Sequence, residues 1–124
     1  MSYAHSKAVI HRDLKPENIY VGDFGQVKVI DWGLGKVISH RDFDTSTDEF
    51  DANLLNNMTL AGRIKGTPAY MAPEQCSSSS DCDERSDVYS LGAILYSCLT
   101  LQAPVKGHTS EEVMQKTLRG EIIP

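Results

Sequence analysis

An eight-residue run near the start of the chain, from His11 to Asn18, sets several reactive groups at short fixed offsets. It supplies a carboxylate at Asp13, an ammonium at Lys15 and a carboxamide at its last residue. A second carboxylate, Asp31, follows Asp13 by eighteen residues and is succeeded by Trp-Gly. Groups of these kinds are what phosphoryl transfer requires, provided that the fold brings them to one place.

The sequence between these clusters predicts how the fold does so. Two short β-branched and aromatic runs, Ile19–Val21 and Val27–Ile30, flank Gly-Asp-Phe-Gly, which indicates a β-hairpin. If two central residues make the turn, Asn18 lies opposite Asp31 in the register. The hairpin is therefore expected to bring that carboxamide and that carboxylate together.

Composition bounds the class of protein. The 124 residues are 40% hydrophobic and 23% charged, which is typical of one small globular domain. A net charge of −5 without a basic stripe argues against a nucleic-acid partner. Cys76, Cys82 and Cys98 form no Cys-x-x-Cys pair, and no apolar run approaches the ~18 residues of a membrane span. We therefore expect a cytoplasmic protein with free thiols and no membrane segment in this chain.

Helices are predicted around the motifs. Apolar residues recur at helical spacing from Val88 to Leu99, and Asp87 or Ser86 can cap that helix. A capping box, Thr-Ser-Glu-Glu, begins a further helix at Thr109 that ends at Gly120. The polar composition of residues 39–57 and of the serine run in 76–81 predicts a solvated loop and a flexible connector.

Two further motifs complete a pattern: Gly66–Glu74, which reads Gly-Thr-Pro-Ala-Tyr-Met-Ala-Pro-Glu, and Asp87–Gly92. Together with residues 11–18 and 31–33, in this order, they resemble the C-terminal lobe of a eukaryotic-like, bacterial-type serine/threonine protein kinase. The resemblance covers nearly the whole chain. It implies an α+β, mainly helical fold, a partial protein-kinase-like fold with a C-lobe core and a small β-hairpin.

The family's N-terminal lobe supplies a Gly-rich loop, a strand lysine and a helix glutamate, and none of these motifs occurs in this sequence. We therefore expect the N-lobe to be absent and the chain to begin in mid-domain, with residues 1–7 ending a helix. The expected organisation is one partial protein kinase domain over residues 1–124. Its expected parts are the catalytic loop 11–18, the metal-binding motif 31–33, the activation segment 31–74 and a helical part 86–120.

The resemblance implies roles for the first motif. Asp13 would accept the proton of the substrate hydroxyl, and Lys15 would neutralise charge on the transferring phosphoryl group. A lysine two residues after the aspartate resembles the pattern of serine/threonine kinases rather than that of tyrosine kinases. Asn18 and Asp31 would hold Mg²⁺ through oxygen ligands. The residues expected around ATP and its metal are Lys15, Glu17, Asn18, Tyr20 and Asp31.

Tyr20 departs from the family pattern, because an aliphatic side chain normally packs below the adenine ring at this position. The tyrosine ring would either narrow the pocket or stack on the base. Trp32 also departs, since it stands where the family usually has phenylalanine. Its indole would fill the same apolar pocket while its N–H seeks an acceptor.

The resemblance implies four residues of the activation segment and its regulation: Arg12, Thr59, Thr67 and Glu74. Arg12 would bind a phosphate there in bidentate fashion, and Thr59 is the best-placed acceptor, its alternative being an ordinary loop threonine. Thr67 would hydrogen-bond the catalytic aspartate and lysine. Glu74 normally meets an arginine of the family's later helices, a region that this chain is expected to lack, so Glu74 is expected to be unpaired.

The resemblance also implies structural residues. His11, Trp32 and Asp87 are expected to support the catalytic loop. Asp87 would anchor the loop backbone, although a helix N-cap is its simpler alternative and the two are compatible. His5 and His108 show no ligand spacing and are expected at the surface.

Two literal copies of family motifs are expected to be coincidental. Asp23-Phe24-Gly25 lies at the hairpin turn, roughly 10 Å from Asn18 at about 3.3 Å per strand residue. His40-Arg41-Asp42 lacks the lysine and the asparagine that should follow it.

The leading hypothesis is an enzyme, part of a serine/threonine protein kinase whose complete form transfers the γ-phosphoryl group of ATP, with Mg²⁺, to Ser or Thr hydroxyls of proteins. The isolated chain is expected to be nearly inactive, because no phosphate-covering loop positions the nucleotide. The alternative from another class is a non-catalytic, truncated kinase lobe that acts as a protein-binding module. A calcium-binding loop over residues 42–51 is disfavoured, since the ligand spacing and glycine of an EF-hand are not met.

Overall fold

A computed structural model describes residues 1–37, 68–77 and 82–124. Its described elements are helices and short antiparallel strands, which agrees with the predicted α+β class. In chain order they are α1 (Ser2–Ser6), β1 (Val9–Ile10), a 3-10 turn (Pro16–Asn18), β2 (Ile19–Val21), β3 (Val27–Val29), β4 (Lys36–Val37), α2 (Pro73–Ser77), α3 (Glu84–Thr100) and α4 (Ser110–Leu118). The assignment of these elements to one lobe of a kinase stays a prediction.

Strands β2 and β3 form the predicted hairpin, but its register differs by one residue from the prediction. Ile19 pairs with Val29 rather than with Ile30. The N–H of Ile30 donates to the carbonyl of Asn18 at 2.9 Å, so Asn18 lies opposite Ile30 and not opposite Asp31. Asp31 is therefore one residue beyond the position predicted for it.

The turn explains this difference. The N–H of Gly22 donates to the carbonyl of Gln26 at 2.8 Å, and the N–H of Gly25 donates to the carbonyl of Gly22 at 3.0 Å. Three residues therefore close the hairpin where two were assumed. Gly25 has φ +76°, a left-handed conformation that glycine adopts without steric cost. A three-residue loop that ends in a left-handed residue is a common hairpin type, and it shifts the register by one.

A second sheet, which the sequence did not predict, joins the segments on either side of the hairpin. Strand β1 pairs antiparallel with β4, so that Val9 faces Val37 and Ile10 faces Lys36. Ile10 is fully buried and directly precedes the catalytic-loop motif. The strand pairing and the burial of Ile10 therefore hold the start of that motif in place.

Helix α3 begins earlier than predicted. Its N-cap is Asp83, whose carboxylate accepts the N–H of Arg85 at 2.8 Å. The prediction that Ser86 or Asp87 caps this helix was wrong. Both residues lie within the first turn and are buried, and their side chains are engaged with other segments instead.

Helix α4 begins and ends as predicted. Thr109 accepts the N–H of Glu112 at 3.1 Å, while the Glu112 carboxylate reaches back to the N–H of His108 at 2.7 Å. This arrangement satisfies two backbone donors at the helix start. After the C-cap Arg119, Gly120 adopts φ +69° and ends the helix.

The apolar core lies where the residues before α2 meet α4. Ala69, Val105 and Val113 form a buried cluster, against which Tyr70 and Ala103 pack. Helices α2 and α4 are in contact with each other. In the part of the chain that the structure describes, no helix is both long enough and apolar enough to cross a bilayer.

Candidate active site

The structure brings Asp13, Lys15 and Asn18 into contact. Lys15 Nζ lies 3.1 Å from Asp13 Oδ2. The amide nitrogen of Asn18 lies 3.3 Å from the same oxygen and donates to the backbone carbonyl of Asp13 at 2.8 Å. The side chains of Asp13 and Lys15 keep 24% and 29% of their surface exposed, so a substrate can reach both.

The 3-10 turn produces this contact. Pro16 opens the turn, because its fixed φ suits a helical start and its missing N–H is not needed there. The N–H of Asn18 then donates to the carbonyl of Lys15 at 2.9 Å. The chain thus curls back, and the Asn18 side chain, 5% exposed, points to Asp13.

His11 supports the loop from inside. The ring is fully buried, and its Nδ1 accepts the N–H of Asp13 at 3.2 Å. An accepting Nδ1 requires the ring proton on Nε2, which lies 2.9 Å from the carbonyl of Ile30 and donates to it. His11 therefore links the catalytic loop to the end of the hairpin.

Asp87 contacts the loop from α3. Its two oxygens accept the N–H groups of His11 at 2.9 Å and of Arg12 at 3.0 Å, and the residue is 1% exposed. Arg12 has φ +66°, a left-handed conformation that costs a non-glycine residue about 1–2 kcal/mol. Charge-assisted bonds from a buried carboxylate offset that cost. The contacts expected of an anchoring aspartate are thus present.

His5 is a residue of this site that the sequence reasoning missed. It was expected at the surface, but its Nε2 lies 2.8 Å from Asp87 Oδ2, and its side chain is only 17% exposed. The two residues are 82 positions apart in the chain. Because no local spacing relates residues so far apart, no signal in the single sequence could have found this pair.

Trp32 does find an acceptor for its indole N–H, which donates to the carbonyl of Val29 at 3.0 Å. Its ring meets His11 edge-on, with centroids 4.6 Å apart. The ring keeps 39% exposure, so it covers His11 on one side and faces solvent on the other. The expected filled apolar pocket is therefore only partly formed.

The remaining residues predicted around ATP and metal, which are Glu17, Tyr20 and Asp31, are accessible to solvent. Asp31 is exposed and has φ +61°. Glu17 is exposed in the 3-10 turn, and Tyr20 is 57% exposed on β2. Among the described residues, no three His, Cys, Asp or Glu side chains lie close enough to hold a metal ion. A metal held by one carboxylate and one carboxamide, such as those of Asp31 and Asn18, would need further oxygen ligands from elsewhere.

The structure describes only part of the predicted activation segment. Thr59 and Thr67 lie outside the described residues, as do His40–Asp42 and the acidic stretch 42–51. The expectation that Glu74 lacks a partner was wrong, because the hydroxyl of Ser86 donates to its Oε1 at 2.6 Å. Glu74 is therefore paired with a hydroxyl group from α3.

The structure also describes Arg12 and the literal motif copy in the hairpin turn. The Nε of Arg12 donates to the carbonyl of Leu34 at 2.8 Å, which places the guanidinium beside the motif 31–33. The literal motif copy at Asp23–Gly25 forms the hairpin turn, with Phe24 95% exposed, at the opposite end of β2 from Asn18.

Gln75 is a second residue that the sequence reasoning missed. Its side chain is 8% exposed and joins two segments. The Oε1 accepts the N–H of Ala72 at 3.1 Å, and the Nε2 donates to the carbonyl of Arg12 at 2.7 Å. Gln75 therefore connects helix α2 to the catalytic loop at Arg12.

Cys76, Cys82 and Cys98 all lie in the described part of the chain, and none of them is joined in a disulfide. Burial raises the pKa of the Cys76 thiol to about 11, with further contributions from the charges of Glu74 and Cys82. A thiol with so high a pKa is protonated near neutrality and is a poor nucleophile.

Comparisons with known proteins identify the family of the chain. The protein kinase domain family model matches residues 1–123. The chain is 43% identical to serine/threonine-protein kinase PknD of Protochlamydia amoebophila over 123 residues, 98% of this chain. It is 41% identical to PknD of Chlamydia caviae over 116 residues, 91% of this chain, and 43% identical to PknD of Chlamydia trachomatis over 113 residues, 86% of this chain.

The chain spans about an eighth, 12%, of the length of each of these relatives. All three are named as kinases, so the alternative of a non-catalytic binding module is not favoured. The match to the family model extends over almost every residue. The chain therefore belongs to the protein kinase domain family and is of the bacterial serine/threonine kinase type.

Proposed function

We propose that this chain forms the C-lobe part of a serine/threonine protein kinase that carries the catalytic loop and the metal-binding motif. The complete protein transfers the γ-phosphoryl group of ATP to Ser or Thr hydroxyls of protein substrates. The observation that carries the proposal is the contact of Asp13 with Lys15 at 3.1 Å and with Asn18 at 3.3 Å. This contact brings a base, a cation and a carboxamide of the kind that binds metals to one place, where the side chains of Asp13 and Lys15 are partly exposed.

Asp13 acts on the substrate hydroxyl. Its carboxylate orients the hydroxyl and takes up the proton as the hydroxyl oxygen bonds to the γ-phosphorus and the bond to ADP breaks. Lys15 stabilises the negative charge that spreads over the phosphoryl oxygens. The residual exposure of both side chains leaves room for the substrate beside them.

Asn18 and Asp31 are the residues that would hold Mg²⁺. An amide oxygen and a carboxylate oxygen are ligands of the hard type that this ion prefers, and phosphate oxygens and water supply the others. When bound, Mg²⁺ neutralises charge on the β- and γ-phosphates. Lys15, Glu17 and Tyr20 complete the nucleotide side, with the exposed Tyr20 ring available to stack on adenine.

Regulation by phosphorylation belongs to the same proposal. Phosphate on Thr59 would pair with the Arg12 guanidinium, which already contacts the Leu34 carbonyl beside the metal-binding motif. Thr67 would bond Asp13 and Lys15. Three cysteines without a disulfide among them support a reducing, cytoplasmic location for this part of the protein.

The test is a substitution series in full-length protein that contains this segment. Asp13→Asn keeps the shape but cannot accept the proton, and kcat should fall by at least ~10²–10⁴ with little change in ATP affinity. Asp31→Asn should weaken Mg²⁺-ATP binding as well as turnover. Both are measured by phosphate transfer from labelled ATP and by nucleotide titration.

Asp23→Asn is the matched control, because Asp23 is an exposed aspartate of the hairpin turn that is also followed by an aromatic residue and glycine. Its activity should equal that of the unsubstituted protein. Equally mild effects of Asp13→Asn and Asp31→Asn would contradict the assigned roles. A large loss with Asp23→Asn would move the metal site to the hairpin turn.

A further inference from the structure

The side chain of Gln75 makes an unusual link between two functional segments. It lies in α2, yet it donates to the carbonyl of Arg12 across 63 positions of sequence. Its other end accepts the N–H of Ala72, three residues before it. The amide orientation is unambiguous, since only an oxygen can accept from Ala72 and only an NH₂ group can donate to a carbonyl.

The peptide that Gln75 contacts is the one that carries Asp13. The Arg12 carbonyl belongs to the amide bond between Arg12 and Asp13, and Arg12 has φ +66°. The N–H of Arg12 is bonded to Asp87 at 3.0 Å, and its carbonyl to Gln75 at 2.7 Å. Two buried side chains from different helices therefore hold one strained residue on both sides.

We infer that Gln75 is a positioning residue for phosphoryl transfer, which fixes the Arg12–Asp13 peptide and hence the direction of the Asp13 carboxylate. The inference rests on the proposed function, because it assumes that Asp13 is the base. Gln75 also couples the position of α2, at the end of the activation segment, to the conformation of the catalytic loop. A displaced α2 would remove the donor from the Arg12 carbonyl.

The chemistry requires glutamine at this position. An ionised glutamate of the same length could still accept the N–H of Ala72, but its negative charge would repel the carbonyl oxygen of Arg12. Methionine has a similar length and can make neither bond. Loss of the donor leaves a carbonyl without its partner in a largely buried place.

The experiment compares Gln75→Glu and Gln75→Met with Gln115→Glu in full-length protein containing this segment. Gln115 is an exposed glutamine on α4 and serves as the matched control. At pH 8, kcat should fall roughly tenfold or more for both changes at Gln75, with little change in the KM for ATP. The control should keep the kcat of the unsubstituted protein.

The pH profile separates positioning from a general loss of folded protein. Burial beside a carbonyl raises the pKa of the carboxyl group introduced by Gln75→Glu, so it takes up a proton as the pH falls. The resulting O–H can donate to Arg12, and the deficit of this variant should shrink towards pH 6. The deficit of Gln75→Met should not change with pH. If neither variant differs from the control, or if both deficits are independent of pH, the inference is overturned.

Amide hydrogen exchange gives a readout that does not depend on activity. Exchange of the amides in residues 11–14 should be faster in Gln75→Met than in the control, while exchange in α4 stays the same. Unchanged exchange in residues 11–14 would overturn the inference. Inactive unsubstituted protein with the expected exchange difference would count against the proposed function and leave the positioning contact established.

Discussion

Helix α3 presents an apolar surface to solvent, and its substitution gives a sharp test of how this chain behaves alone. We define the exposed α3 face as Val88, Leu95, Leu99 and the C-cap Leu101, which are 58%, 59%, 76% and 91% exposed. A helix with apolar residues on several sides is expected to be buried on more than one. The perturbation is the double substitution Leu95→Glu and Leu99→Glu.

The magnitude follows from the exposures. Full burial of one such side chain is worth about 1.5–3 kcal/mol, so four residues with these exposed fractions forfeit roughly 4–8 kcal/mol together. A domain typically has only ~5–15 kcal/mol of net stability. The 124-residue chain should therefore recover this free energy by self-association, or else be molten with a surface that binds an apolar dye.

The assay is light scattering coupled to size exclusion, together with dye fluorescence. We expect the unsubstituted chain to be oligomeric or dye-binding, and the double variant to elute closer to 13.7 kDa with weaker dye fluorescence. Gln26→Glu with Gln115→Glu adds the same charge at exposed polar positions and should change neither property. A monodisperse unsubstituted monomer with a cooperative thermal transition and no dye binding would refute this reasoning.

Three other predictions concern stability and reactivity. Asp87→Ala leaves two loop N–H groups without their buried acceptor and should lower the free energy of unfolding by roughly 2–6 kcal/mol. The N-cap change Asp83→Ala should lower it by only about 1 kcal/mol. Equal shifts in the thermal midpoint of full-length protein would contradict this. Gly25→Ala meets no neighbouring atom within 4 Å but strains φ +76°, so it should cost about 1–2 kcal/mol in thermal unfolding, and Gly25→Asn should cost less. Because the Cys76 pKa is raised to about 11, only on the order of one thiol in a thousand is ionised at pH 8. Iodoacetamide should therefore alkylate the exposed Cys98 first, and the Cys76 rate should climb as the pH approaches 11; prior modification of Cys76 would show that its thiol is not protected.

Local interactions explain which parts of the fold could be predicted. The hairpin strands and the helix capped by Thr109 depend on residues within a few positions of one another, and the structure has them. The one-residue error in the hairpin arose because a two-residue and a three-residue turn are both compatible with the sequence. The left-handed conformation of Gly25 selects the latter.

The family and the residues proposed for the site could be inferred from the sequence. The contact of Asp13 with Lys15 and Asn18 is also local, because these residues belong to one short turn. What holds that turn in place could be seen only in the folded chain. Asp87 meets the loop across 76 positions of sequence at His11, and Gln75 does so across 63 at Arg12. Contacts between residues so distant are set by the packing of whole helices, and neither periodicity nor spacing along one chain encodes them.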